Sequence, residues 1–418
     1  MSATPSTVVA VGAGQAAVSA VRMLRRRGFE GRLVVLGDER HAPYQRPPLS
    51  KEYLRGEADL DDLTILQPSW CSANDVELLL GTRAERISYD TSARRVHLAG
   101  GGEIVADAVL VATGVRARRL PGIEGDRVVH LRTLDDADRL RAQLPGAGRI
   151  AIIGGGLIGS EVAASGRDLG VEVTCLEAAA LPLLGQLGPA MACVYADLHR
   201  ENGVDLRFGQ QIESVVETSS GVVVRTRLGD VVEADLLVVA VGAVPNDELA
   251  RASGLAMDPV AGGVLVDAGC RTAIEGVFAA GDIASRLDPT TGRHVRAEHL
   301  DNAGRQGMAV ARALLGQAEV AEDPAWFWSD QYEHNLQFVG RPRADATVVV
   351  RGSISDREFT AFSVHEGRVH AAFAVNSGGD VTAARQLIAA AVPVAETMLA
   401  DEDTDLLTLL DTVDTVDA

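Results

Sequence analysis

The chain has 418 residues, 47% of them hydrophobic and 23% charged, a globular composition too long for one core and suited to about two to three domains. Its net charge of −19 argues against nucleic acid or an anionic membrane as partner, because both require clustered cations. No apolar run reaches the ~20 residues that a membrane-crossing helix needs, and residues 1–7 lack the positive charge of a targeting signal.

In chain order, TVVAVGAGQAA reads as a buried strand, a glycine turn and the start of a helix that continues through Arg27. RLVVLGDE follows as a second buried strand, completing a βαβ nucleotide-binding unit. Gly12, Gly14 and Ala17 form G-x-G-x-x-A, whose glycines let the backbone approach a pyrophosphate at a helix N-terminus. Asp38 and Glu39 close the second strand, where an acid takes the adenosine ribose hydroxyls. The prolines of PYQRPPLSKEYL then set a rigid loop that delivers Lys51 into the next helix. Lys51 is the only lysine among 39 basic residues, so a compact ammonium is kept at one position in a chain that otherwise uses arginine.

Residues 76–98 alternate like antiparallel strands, and AVLVATG (residues 108–114) is a buried strand ending in a glycine turn. A second βαβ unit runs RIAIIGGGLIGSEVAA, a helical stretch to Leu169, and VEVTCLE, with Gly154, Gly156 and Gly159 making the stricter G-x-G-x-x-G. Its acid is Glu177, followed by three alanines; a carboxylate there accepts from a ribose 2′-hydroxyl and repels a 2′-phosphate, so NADH is preferred over NADPH. A second nucleotide site at the N-terminus then suggests FAD. The matching strand ADLLVVAVG (residues 234–242) precedes Val244, Pro245 and Asn246, and GVFAAGD (residues 276–282) ends in Gly281 and Asp282, a carboxylate suited to a ribityl hydroxyl. From about residue 323 aromatics cluster (Trp326, Phe327, Trp328, Tyr332). Alternating strands follow at 346–351, 358–365 and 369–375, with a helix near 383–399, read as a separate α+β domain. Residues 400–418 hold seven acids and no base and are expected to fray. Cys71, Cys175, Cys193 and Cys270 form no CxxC pair, which supports neither a local redox disulfide nor a zinc site; they read as buried apolar residues in a reducing cytoplasm.

The succession GAGQAA, PYQRPPLSKEYL, ATG, LRTLDDADRLR, GGGLIGSE, VGAVPNDELA, GVFAAGD and FWSDQYEHNLQFVG resembles the ferredoxin reductases of oxygenase systems, from near the start to about residue 400. The resemblance implies an α/β, glutathione-reductase-like fold. An FAD domain (1–116 and 245–322) would be split by an NADH domain (117–244), and a C-terminal domain (323–400) would cover the flavin. It further implies that Lys51 lies beside flavin N5 and pairs with Glu161. The nucleotide contacts would also include Gln15, Ala16, Arg46, Pro47, Ala84, Ala112, Thr113, Gly114, Arg132, Asp282, Leu157, Ile158 and Gly242, with Trp328 on the acceptor side of the ring. Glu298 falls before the helix beside the flavin, and Leu300 stands where many members have tryptophan. The implied activity passes a hydride from NADH to FAD and single electrons to a 2Fe–2S ferredoxin, in a monomer or weak dimer without metal. Docking an acidic ferredoxin on an acidic protein calls for a local basic patch, with Arg293, Arg296, Arg305, Arg341 and Arg343 as candidates. Reductases of small radicals or quinones, and a non-catalytic flavoprotein like apoptosis-inducing factor, share much of this pattern. The thiol-dependent relatives do not, because Ser50 and Lys51 stand where their redox cysteines fall.

Overall fold

A computed structural model describes residues 5–90, 93–288, 292–318 and 324–415, without the side chains of 411–415. The chain forms two compact units. The first joins Met1–Arg46, Asp59–Arg116 and Ala243–Ala321; the second joins Pro47–Ala58, Ala117–Gly242 and Glu322–Ala418.

The first unit is built on a five-stranded parallel sheet in the order Val277–Ala279, Ala108–Val111, Thr7–Val11, Arg32–Leu36, Val76–Leu79. Its strands are apolar at nearly every position because both faces are covered. Val8 and Ala10 pack with Ala17, Val21 and Leu24 of helix Gln15–Arg26 and Val310 and Leu314 of helix Leu300–Leu314. Val9 and Val11 point the other way, to Ile87 and Val96 of the antiparallel sheet Ala84–Tyr89, Arg94–Leu98, Glu103–Ala106. Of the segment expected to be antiparallel, Val76–Leu79 instead extends the parallel sheet edge.

The second unit repeats the plan with the parallel order Asp205–Arg207, Glu172–Leu176, Arg149–Ile153, Leu236–Val239, Val128–Val129. Its C-terminal portion is an antiparallel sheet of five strands, ordered Trp326–Gln331, His334–Gly340, Arg368–Val375, Glu358–His365, Thr347–Ser353. Helix Gly378–Ala390 covers one face through Val381, Ala384 and Leu387. Helix Leu184–Glu201 covers the other: Leu187, Met191, Tyr195 and Leu198 share one core with Phe338, Phe359 and Phe373. The C-terminal sheet and helix Gly378–Ala390 form the α+β domain expected from the sequence, and its aromatic core is shared with helix Leu184–Glu201 of the second dinucleotide module.

Four further differences have plain causes. Residues Pro47–Ala58, assigned from sequence to the first nucleotide domain, pack in the second unit, where Tyr53 bonds Asp138 at 2.5 Å. The single helix expected over 383–399 stops at Ala390, with Ala391 left-handed and Pro393 beyond it, and resumes at Glu396–Ala400. Cys193 is exposed on helix Leu184–Glu201, whereas the other three cysteines are buried. The acidic tail is folded through residue 410: Leu406 (3% exposed) and Leu409 (2%) enter the C-terminal core, and Arg351 donates to the carbonyls of Asp401, Glu402 and Thr404. Residues 416–418 of that tail lie outside the described residues. Among the described residues no helix is long and apolar enough to cross a membrane.

Candidate functional site

Each unit has a strand, a glycine turn and a 12-residue helix, Gln15–Arg26 in the first and Leu157–Asp168 in the second. Gly12 (φ 113°) and Gly154 (φ 103°) are needed by the protein itself, since a Cβ there would overlap the carbonyls of Ala112 and Ala240. Gly14 and Gly156 are different. Both have extended backbones that any residue adopts (φ −88° and −76°), and a Cβ on either would meet nothing within 4 Å. Neither conformation nor packing demands glycine there, and each leaves open space beside its helix N-terminus. The helices that follow carry no side-chain cap and no acid in the first turn. By contrast Leu60–Leu63 and Leu134–Gln143 carry complete capping boxes. Two uncapped N-termini behind two open glycines fit two pyrophosphates.

In the first unit, Glu39 is already engaged, accepting from Tyr44 (2.5 Å) and Arg46 (2.6 Å). Asp38 is exposed and has no side-chain partner among the described residues, which makes it the acid open to a ribose. Burial works against the Arg46 charge, but Tyr44, Glu39 and Asp282 outweigh it and hold the guanidinium above its ordinary range. Gln15 bonds Ser19 (3.1 Å), Ala16 is buried, and Gly281 N–H donates to Gln306 (2.8 Å). Thr113 and Asn246 exchange two bonds of 2.8 Å, and the Gly114 carbonyl accepts from Asn246. Ala84 opens a strand at a register shift, Glu298 pairs with Arg296, and Leu300 begins its helix.

In the second unit, Glu177 is fixed over its glycine turn by the N–H groups of Gly155 and Ala179, both at 2.7 Å. Arg207 adjoins it on the next strand, but that guanidinium pairs with Asp205 at 2.7 Å and is not free for a 2′-phosphate. Leu157 and the exposed Ile158 open the helix, Gly159 packs on the Gly154 carbonyl, and Gly242 has open space where a Cβ would stand. Arg132 is half-buried just before helix Leu134–Gln143.

The second unit also contains the one buried ion pair among the described residues, with side chains 5% exposed on both partners: Lys51 Nζ lies 2.9 Å from Glu161 Oε2. Lys51 also donates to the Pro47 carbonyl (2.8 Å), leaving one ammonium N–H for a further acceptor. Glu161 receives Ser50 on the same oxygen and Ser329 on the other (2.6 Å). The 3₁₀ turn Pro47–Ser50, stiffened by its two prolines, ends with Ser50 and Lys51 both on this carboxylate. Trp328, next to Ser329, is half-buried and stacks on Trp326 with centroids 5.1 Å apart.

A profile described as pyridine nucleotide-disulphide oxidoreductase matches residues 6–307. The chain belongs to the pyridine nucleotide-disulphide oxidoreductase family. A second profile, reductase C-terminal, matches residues 326–410 of this oxidoreductase. It is 41% identical over 415 residues to the ferredoxin–NAD(+) reductase component of the anthranilate 1,2-dioxygenase system of Burkholderia cepacia, covering 98% of this chain and 100% of that protein. It is 36% identical over 407 residues to putidaredoxin reductase of Pseudomonas putida, covering 96% and 95%. Among solved structures, the covalent putidaredoxin reductase–putidaredoxin complex superposes with a TM-score of 0.92 at 35% identity, covering 98% of this chain and 99% of that one.

Sequence reasoning about this oxidoreductase missed Ser50 and Ser329 as donors to Glu161, and the buried Gln331, Tyr195 and His199 behind them. Only tertiary contact identifies them. His199 is 1% exposed, and burial pushes its imidazole down to about 4 from 6.5. Above pH 6.5 both folded and unfolded states are neutral there. As pH falls from 6.5 towards 4, the unfolded chain takes up a proton that the folded one refuses, and about 3 kcal/mol of stability is lost. Denaturation curves of His199→Leu are expected to show a flatter loss across that window; an unchanged slope would assign the acid sensitivity elsewhere.

Proposed function

We propose that this chain is a cytoplasmic, FAD-containing, NADH-dependent reductase of a 2Fe–2S ferredoxin that feeds an oxygenase. The observation that carries this reading is the pair of glycine turns with open space at Gly14 and Gly156, taken with a buried lysine–carboxylate pair at the place of the family's thiols. Gly12, Gly14, Gln15, Ala16, Asp38, Ala84, Ala112, Gly114, Gly281 and Asp282 hold FAD; Gly154, Gly156, Gly159, Glu177 and Gly242 hold NADH. Bound flavin supplies two-electron acceptance from a nicotinamide and one-electron delivery to an iron–sulfur centre.

The protein's own part is orientation and charge. The uncapped helix ends bind the two pyrophosphates, and Glu177 accepts from the ribose hydroxyls of NADH while rejecting a phosphate. Lys51 holds its proton at Nζ, anchored by Glu161 and Pro47, and offers its remaining N–H to the N5 edge, where negative charge grows on reduction. No thiol enters the chemistry. Cys175, the cysteine nearest Glu177 in sequence, is buried and pushed up to about 12. Of the five arginines considered for docking, Arg296, Arg305 and Arg343 already pair with Glu298, Asp301 and Asp345. Arg293 and Arg341 are exposed and suit an acidic ferredoxin.

An anaerobic titration of the purified protein with NADH and separately NADPH, following flavin absorbance, tests this. Fast bleaching by NADH alone is expected, with cytochrome c reduced quickly only after a 2Fe–2S ferredoxin is added. Cytochrome c reduction that ignores the ferredoxin would favour a small-acceptor reductase instead.

A further inference from the structure

The Glu161 carboxylate ends a buried series of hydrogen bonds that binding of neither nucleotide requires. Ser329 donates to Glu161 Oε1 at 2.6 Å and accepts from Gln331 Nε2 at 2.9 Å, while the second N–H of Gln331 goes to the Tyr195 hydroxyl at 2.7 Å. Gln331 Oε1 and His199 Nε2, behind them, are buried atoms without a hydrogen-bond partner among the described residues, and His199 Nδ1 lies 2.8 Å from the Tyr332 hydroxyl. The hydrogens that lead to the carboxylate run from Gln331 to Ser329 and from Ser329 to Glu161.

The elements that build it are regular. Ser329 and Gln331 share one face of strand Trp326–Gln331, and Tyr195 and His199 are one turn apart on helix Leu184–Glu201. Ser329 and Gln331 are 0% exposed, so no water competes. Aligned donors polarise one another, and the sum falls on the terminal acceptor.

We propose that Ser329 and Gln331 are positioning residues whose aligned bonds partly neutralise Glu161 and hold its carboxylate to Lys51, so that the charge presented to the flavin is the lysine's. This rests on Lys51 standing at the flavin, as set out under Proposed function. With a donor removed, more of the carboxylate's negative charge opposes the incoming electrons, and reduction becomes harder.

The experiment is an equilibrium one on the FAD-loaded protein: the NADH/NAD+ ratio that half-reduces the flavin, read by absorbance, with thermal unfolding of the same samples. Ser329→Ala and Gln331→Leu are expected to need a ratio about tenfold higher, the scale of one lost hydrogen bond. Ser329→Thr, which keeps the hydroxyl, should return to the wild-type ratio. Lys51→Met serves as the reference for the underlying reading. If Lys51→Met moves the ratio while Ser329→Ala and Gln331→Leu only lower the melting temperature, the series is packing alone and the proposal falls. If Lys51→Met leaves the ratio unchanged, the placement of Lys51 at the flavin fails first. Should Gln331→Leu not fold, Ser329→Ala, which removes a single oxygen, decides the matter.

Discussion

Lys51→Met is expected to slow reduction of the bound flavin by NADH by about 100-fold, the scale found when one preorganised donor is taken from a developing anion. It should also destabilise the fold. Glu161 is 4% exposed and would be left charged without its cation, and breaking a buried pair from one side costs about 3–5 kcal/mol. The two effects separate in the double variant Lys51→Met/Glu161→Gln. A neutral amide accepts from one of Ser50 and Ser329 and donates its NH2 to the hydroxyl oxygen of the other, so stability returns, whereas the rate does not because the ammonium is gone. Stopped-flow reduction and urea denaturation of the two proteins check this. A double variant that regains both would reduce Lys51 to a packing role. Lys51→Arg should recover only part of the rate, since a planar fork does not fit a slot shaped for a point charge.

Glu177→Ala is expected to change coenzyme choice rather than chemistry. The carboxylate is held by two backbone N–H groups at 2.7 Å, so it is preorganised for hydroxyls and fixed against a phosphate. Its removal should raise the KM for NADH about tenfold, the worth of a hydrogen bond to a charged group. The preference for NADH over NADPH should narrow by about 100-fold, because like charges side by side cost several kcal/mol. Flavin reduction at saturating NADH should stay near wild type. Parallel steady-state measurements with both coenzymes give the answer; a preference that survives the substitution would move the discrimination to another residue. Arg207 does not fill the vacancy, as Asp205 already neutralises it.

The parts of this protein visible in the sequence are those that repeat locally. A glycine that must turn within two residues of a buried strand leaves a fixed spacing, and so does an acid at the end of the next strand; GAGQAA and GGGLIGSE are both of this kind. Composition picked out Lys51, because a lone lysine among arginines needs a reason. Which atoms hold it is a different question. Ser50 and Ser329 are ordinary serines whose value comes from meeting Glu161 across 111 and 168 residues of chain. The tail misled for the opposite reason: its acids are a strong local signal, while Leu406 and Leu409 count only when the C-terminal sheet is there to receive them. The C-terminal domain was legible as a change of texture, but that helix Leu184–Glu201 shares its aromatic core was not. Backbone turns and hydrophobic period are set by neighbours in the chain, so the sequence determined both nucleotide modules and the singular lysine. Burial and hydrogen-bond partners are set by segments far apart in the chain, so only the tertiary structure decided that Glu161 is a buried carboxylate with three donors, one of them backed by Gln331.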